Sequence, residues 1–215
     1  MGDGGAPFKV LEAMIKPRAF GANVISSVCS AEKAAAALKG VVRDVACVVV
    51  EVYRSRESGG SSTAAGEHYW RPDSRETADH SIPYTVAAAL MDGRVTPRSF
   101  DDAHLRDPAL HALIRKIEVV ENEEFTKAYE RVPVQHHTRV TVVTASGERI
   151  VDESRGDRGD DLSDRKSDAQ IAAKFRELAG GALGDKRVDA ILDRLWRLED
   201  LRSMAELPAL FVLEQ

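Results

Sequence analysis

The sequence predicts an α+β fold: an antiparallel sheet with helices packed on one face, followed by C-terminal amphipathic helices. Three observations predict it. β-Branched residues dominate and alternate over Val45–Tyr53, and TRVTVVTASGERIVDE reads as a hairpin turning at Ser146-Gly147. Between these strands lie stretches of good helix formers introduced by Ser, Thr or Asp and stopped by Gly. Toward the C-terminus the pattern changes to apolar residues at helical spacing with charges elsewhere.

In chain order, ISSVCSAEKAAAAL (25–38) forms a helix that ends before Gly40. VVRDVACVVVEVYRSR then supplies a strand buried on at least one face. SRESGGSSTAAGE breaks all periodicity and reads as a mobile surface loop. Ser81 is an N-cap and Pro83 fits a first helical turn, so a helix begins at about Ile82 and closes at Gly93. Thr96-Pro97 and Asp107-Pro108 repeat that signature and predict two more short helices. KIEVV from Lys116 is a strand.

SRGDRGDDLSDRKSD is charged and Gly-containing, which makes it a linker; its two Arg-Gly-Asp tripeptides are attributed to chance. AQIAAKFRELAG and DKRVDAILDRLWRLEDLRSM follow as two amphipathic helices, the second with a stripe of Val188, Ile191, Leu192, Leu195 and Leu198. Those stripes call for a partner surface. The boundaries are an α+β domain over 8–154, a linker over 155–167 and C-terminal helices over 168–215.

The 215 residues suffice for a real core, and an aromatic share of only 6% points to one built from Ala, Val, Leu and Ile. A net charge of -5 argues against nucleic acid and anionic membrane surfaces as partners, although a local Arg cluster can still hold a small anion. Cys29 and Cys47 read as buried thiols, and two cysteines fall short of the usual set for a four-iron cluster. With no signal-peptide pattern and no apolar run long enough to span a bilayer, the cytoplasm is the expected compartment.

Chemistry concentrates in HYWRPDSRETADHSIPYTVAAALMDG, where Arg71, Arg75, His80 and Tyr84 precede or open an apolar helix. Arg offers a planar fork for carboxylates, His exchanges a proton near neutrality, and a Tyr hydroxyl donates to a developing oxyanion. His80 and Tyr84 share a helix face only if the helix reaches back to His80. The plainer alternative is a loop whose arginines pair with Glu76 and Asp79.

Lys16, in IKPRAF, is either a rigidly placed cation or a surface lysine. His136 and His137 are adjacent and would point to opposite faces of a strand, so they do not share a metal. His104 and His111 are separated by the Pro108 break and read as a solvated face. The sequence contains no GxGxxG after a strand, no GxxxxGK[ST], no GxSxG and no HExxH.

RPDSRETADHSIPYTVAAALMDGRVTPRSF resembles the signature of the MmgE/PrpD family: Arg-Glu-x-x-Asp-His-Ser-x-x-Tyr, an apolar helix and Asp-Gly. IKPRAF is similar to the lysine-containing start of the same domain, and the hairpin and AKFRELAG to the elements that follow. The resemblance implies a smaller α+β lid with helices that return to a large helical domain, the bulk of which is expected from a separate helical subunit.

It implies dehydratase or decarboxylase chemistry on a tricarboxylate of the 2-methylcitrate type, with no cofactor and no metal, in a homodimer. Lys16, Tyr84 and His80 would be the catalytic residues, with Arg71 and Arg75 binding substrate carboxylates. One departure stands out: several relatives place a His shortly after the lysine, where this sequence reads Ala19-Phe20-Gly21-Ala22-Asn23. That departure favours the alternative, a carboxylate-binding or protein-interaction module that keeps the lid fold without the reaction.

Overall fold

Residues 15–16, 18, 20–38, 42–54, 66–131, 134–155 and 166–212 are described by a computed structural model, and the chain divides into two compact units, 1–164 and 165–215. The loop expected at 55–67 and the linker at 155–167 fall mostly outside the described residues.

The first unit is built on one sheet. Strands β1 (Val45–Val52), β2 (Ile117–Glu121), β3 (Thr138–Thr144) and β4 (Arg149–Ser154) lie in the order β2-β1-β3-β4. β3 runs antiparallel to both neighbours, with Val142 opposite Val48 on one side and Ile150 on the other. The β3–β4 turn is the predicted one, and Gly147 takes φ 87°, which a side chain would disfavour. β2 departs from the expected antiparallel arrangement, because it pairs with β1 in parallel, Val48 opposite Ile117. A parallel neighbour needs a long crossover to bring the chain back to the same end of the sheet, and residues 53–116 provide it.

That crossover carries most of the helices. α1 (Ile25–Ala37) precedes the sheet; α2 (Glu67–Trp70), α3 (Arg75–Ala78), α4 (Ile82–Asp92), α5 (Asp102–Leu105) and α6 (Pro108–Ile114) occupy the crossover; α7 (Glu123–Tyr129) follows β2. α1 packs on β3 and β4 and against α4, and α4 in turn packs on α6 and β2. Ala31, Ala34 and Ala35 of α1 share the core with Ala87, Ala88 and Ala89 of α4. Small side chains on both helices let the backbones approach closely, which is how a core with few aromatics fills. From the sheet, Val48, Val50, Val52, Val140 and Val142 complete it.

The cap signals hold. Ser81 Oγ accepts the Tyr84 N–H at 3.0 Å, and Gly93 closes α4 at φ 73°. Asp107 Oδ1 accepts the Ala109 N–H at 2.7 Å to start α6. Thr96 caps a 3-10 turn, Pro97–Phe100, rather than an α-helix. Residues 81–90 are all buried, so α4 has no polar face.

Cys29 is buried as expected, but Cys47 is exposed: it sits on the face of β1 that alternates away from Val48 and Val50. On that same face Arg139 bridges two strands, with Nη1 3.1 Å from both Glu51 oxygens and Nη2 2.8 Å from Glu153. Burial pushes the Glu153 carboxyl up, yet the hydrogen bond and charge of Arg139, helped by Arg155, outweigh it and hold the group below the usual range. A carboxyl depressed by folding stabilises above its unfolded pKa, and that contribution is lost as pH falls through the folded value. The melting temperature is therefore expected to drop below about pH 4, the ordinary glutamate range. Glu153→Gln should be less stable near neutrality and show a shallower acid limb in the same titration.

The second unit holds α8 (Asp168–Leu183), α9 (Asp185–Leu195) and α10 (Glu206–Leu210). Ser167 and Gln170 form a reciprocal capping box at the start of α8, and Gly184 at φ 75° separates it from α9. Val188, Ile191 and Leu192 are the buried part of the predicted stripe. The second predicted helix is shorter than its periodicity suggested: it ends at Leu195, and Leu198 falls in a 3-10 turn, 44% exposed. Arg176 pairs with Asp189 at 2.9 Å, and Arg194 with Glu206. Among the described residues no helix is long and apolar enough to cross a membrane.

Candidate functional site

The segment that carries Lys16 and the turn that carries His80 meet. Gly21 N–H donates to the Asp79 carbonyl at 2.9 Å, which lays the lysine segment along the end of α3. Lys16 is exposed, and its Nζ donates to the Phe20 carbonyl at 3.0 Å, so the ammonium is drawn back over its own segment. Phe20 is buried against Phe100, their rings 6.4 Å apart, and anchors the segment from below.

His80 lies in the turn between α3 and α4. Ser81 caps α4, so the helix begins at Ile82 and does not reach back to His80. Its Nδ1 is 3.0 Å from the Glu76 carbonyl, with the Asp79 carboxylate beside it. A carbonyl can only accept, so Nδ1 carries the proton in the neutral ring, and Nε2 keeps a lone pair. The Asp79 contact lies off the N–H line, since Asp79 Oδ1 is buried without a well-aligned hydrogen bond. The His80 side chain is 54% exposed, and in this tautomer a neutral imidazole can accept a proton at Nε2.

Tyr84 goes the other way. It is fully buried, and its hydroxyl donates to the Ser99 carbonyl at 2.6 Å, while its ring stacks on Phe100 at 5.9 Å. Ser99 Oγ in turn donates to Asp92 at 2.7 Å, and His104 Nε2 lies 3.2 Å from the same carboxylate oxygen. Burial first, then the negative charges of Asp92, Asp101 and Asp107, push the Tyr84 hydroxyl far above the ordinary phenol value. It remains a donor. The expected grouping of Arg71, Arg75, His80 and Tyr84 in one patch is thus divided: His80 faces out beside the lysine segment, and the Tyr84 hydroxyl faces the core.

The arginines are exposed. Arg71, at the end of α2, lies 3.9 Å from Glu67, and both side chains are largely in solvent, so the pair is weak. Arg75 opens α3, the short helix whose last turn leads into Asp79 and His80. Neither of the expected partners, Glu76 or Asp79, is the one that Arg71 takes.

Titratable groups gather at two further places. His136 Nδ1 is 3.0 Å from the Tyr53 hydroxyl, whereas His137 turns edge-on to Phe125 at 5.2 Å, so the adjacent histidines diverge. They precede β3 instead of lying within it. An open cavity of about 600 Å³ lies between the end of α1 and the β3–β4 turn, with Asp44 and Glu148 in its lining. Two carboxylates at its wall make it a poor receptor for a polyanion.

The profile of the MmgE/PrpD C-terminal domain matches residues 24–198. The chain belongs to the MmgE/PrpD family. It is similar to the mitochondrial 2-methylcitrate dehydratase of Yarrowia lipolytica, 32% identical over 75 residues, which is 35% of this chain and 14% of that protein. It is 24% identical over 139 residues to the cis-aconitate decarboxylase of Mus musculus, covering 65% of this chain and 28% of the other. The 2-methylcitrate dehydratase of Cupriavidus necator is 32% identical over 75 residues, covering 35% of this chain and 16% of its own length. The aligned parts thus span only between 14% and 28% of these relatives.

Arg71, Arg75, His80 and Tyr84 lie inside the MmgE/PrpD match, and Lys16 and Gly21 lie ahead of it. Gly21 is where the lysine segment touches the His80 turn. A Cβ at this position would sit 2.9 Å from His80 Cδ2 and 3.3 Å from the Asp79 carbonyl oxygen. Its φ of -54° is ordinary for any residue, so the constraint is space and not backbone. Gly21→Ala is expected to leave the fold intact and displace the His80 ring, read as a change in its imidazole cross-peaks by NMR with little change in melting temperature.

Sequence reasoning missed two members of this neighbourhood. The sequence reading has Asp79 only as an arginine partner and as a member of the MmgE/PrpD signature, with no role beside His80, and does not single out Glu32. Glu32 is the one acid in an Ala-rich helix, and that was the available signal.

Proposed function

We propose that this MmgE/PrpD chain is the lid portion of a lyase of the 2-methylcitrate dehydratase type, acting on a tricarboxylate by dehydration or decarboxylation. In this reading a helical half outside residues 1–215 closes the site. The observation that supports it is the bond from Gly21 N–H to the Asp79 carbonyl, which brings the segment that carries Lys16 against the turn that carries the half-exposed His80. Lys16, Arg71 and Arg75 bind carboxylates and neutralise charge as it builds in the transition state. For dehydration, His80 Nε2 takes the proton from the carbon next to a carboxylate, and the neighbouring hydroxyl leaves as water with a proton supplied by the Lys16 ammonium. Tyr84 holds α4 against the Pro97–Phe100 turn, and its hydroxyl enters the reaction only after giving up the Ser99 carbonyl.

2-Methylcitrate and cis-aconitate are the compounds that the relatives' names give. The test is turnover of 2-methylcitrate and cis-aconitate by the purified protein, alone and mixed with a helical family protein that has no lid. Turnover in no combination would overturn the enzymatic reading. The family resemblance implies a His shortly after the lysine, and the stretch Ala19-Phe20-Gly21-Ala22-Asn23 has none, which favours a second reading: a carboxylate-binding module without the reaction. Calorimetry with citrate separates the two, since the module retains heat of binding where no product forms.

A further inference from the structure

We infer that Glu32 is a positioning residue for Lys16: its carboxylate fastens the lysine segment to the body of the fold and sets where the ammonium stands relative to His80. The inference rests on the reading of Lys16 and His80 as substrate-facing groups. Arg18, two residues after Lys16, aims both guanidinium arms at Glu32, Nη1 to Oε1 at 2.5 Å and Nη2 to Oε2 at 2.8 Å. Oε1 also accepts the Val95 N–H at 2.8 Å. One carboxylate on α1 therefore joins the lysine segment just ahead of that helix to the stretch that leaves α4, 63 residues further along the chain.

The chemistry of this arrangement is unlike that of a surface ion pair. The Glu32 and Arg18 side chains are only 14% and 17% exposed, so water screens the pair weakly. A half-desolvated carboxylate is tolerated only when its lone pairs are taken, and here a two-pronged guanidinium and a backbone N–H take them. The fork also fixes direction, which a single point contact does not. Because Lys16 bonds to the Phe20 carbonyl, and Gly21 bonds to Asp79, tension or slack at Arg18 is transmitted to both the ammonium and the His80 turn. A carboxylate that only stabilised α1 would have no need of Arg18.

The readout that separates positioning from plain stability is the local reactivity of Lys16. Full-length protein is treated with an amine-acetylating reagent, and modification of Lys16 is followed by residue-resolved mass spectrometry. Citrate binding by calorimetry and the melting temperature are measured alongside, for Glu32→Gln, Arg18→Lys and Lys16→Ala. Glu32→Gln is expected to change the Lys16 acetylation rate and to weaken citrate binding, each on the order of tenfold, the size expected when a charge-assisted bond that orders a segment is lost.

Arg18→Lys keeps the charge and removes the fork, and it should move both readouts in the same direction by less. Wild-type Lys16 reactivity in folded Glu32→Gln would overturn the inference; should that variant not fold, wild-type reactivity in Arg18→Lys overturns it. Failure of the underlying reading looks different: Lys16→Ala then binds citrate as the wild type does, whatever Glu32→Gln does to the acetylation rate.

Discussion

Tyr84→Ala is expected to destabilise the first unit by about 3–5 kcal/mol, the range for emptying a large aromatic site. Residues 81–90 leave no side of α4 exposed, so the cavity has no route to collapse by exposure to solvent. The ring also stacks on Phe100, which in turn lies against Phe20 under the lysine segment, so the loss would loosen the site as well as the core. Against a typical domain stability of about 5–15 kcal/mol this is a large fraction, visible as a shifted denaturant midpoint.

Tyr84→Phe isolates the hydroxyl. It keeps the packing but orphans the Ser99 carbonyl, and should cost about 1–3 kcal/mol. Folding raises the pKa of this phenol, so its contribution is fully present below the ordinary phenol range near pH 10 and is lost as pH rises beyond it. If Tyr84→Phe in a turnover-competent assembly lost far more rate than its stability change explains, the hydroxyl would be acting on substrate and not only on Ser99.

His80→Ala is the second large effect, and it falls on rate. A positioned base contributes about 10²–10⁴-fold, and a loss of that size is expected in any assembly that turns over a tricarboxylate, with the fold unchanged because the ring is half in solvent. Asp79→Asn is its control. It keeps the shape beside Nδ1 and removes the charge, so it should lower the rate by less than His80→Ala. Equal rates in wild type and His80→Ala would remove His80 from the reaction.

Much of the fold was legible because it is written in caps. Ser81, Gly93, Asp107 and Gly147 each mark a boundary by backbone chemistry that acts within a few residues, and each holds. What lies beyond that range was not legible. β2 reads as a strand, but nothing in Ile117–Glu121 encodes which neighbour it takes or in which direction. The direction of Tyr84 was equally hidden, since a helix buried all round has no polar stripe to orient it. His80 and Lys16 were picked out by residue type and family pattern. Their meeting, through Gly21 and Asp79, depends on contacts across some sixty positions, as does the Glu32 clamp with Val95 at a separation of 63.

The parallel pairing of β1 with β2 has a kinetic meaning. As the polypeptide leaves the ribosome, β1 emerges with neither neighbour yet made, and the central position in the sheet stays vacant on both sides until residue 117 and then residue 138 arrive. Long-range pairing of this kind is slow, because closure entropy is spent before any contact rewards it. Nascent α1 and α4, both rich in alanine and both complete before residue 117, are the parts able to associate first, so sheet assembly is expected to be templated on a helical pair with His80 just ahead of its second member.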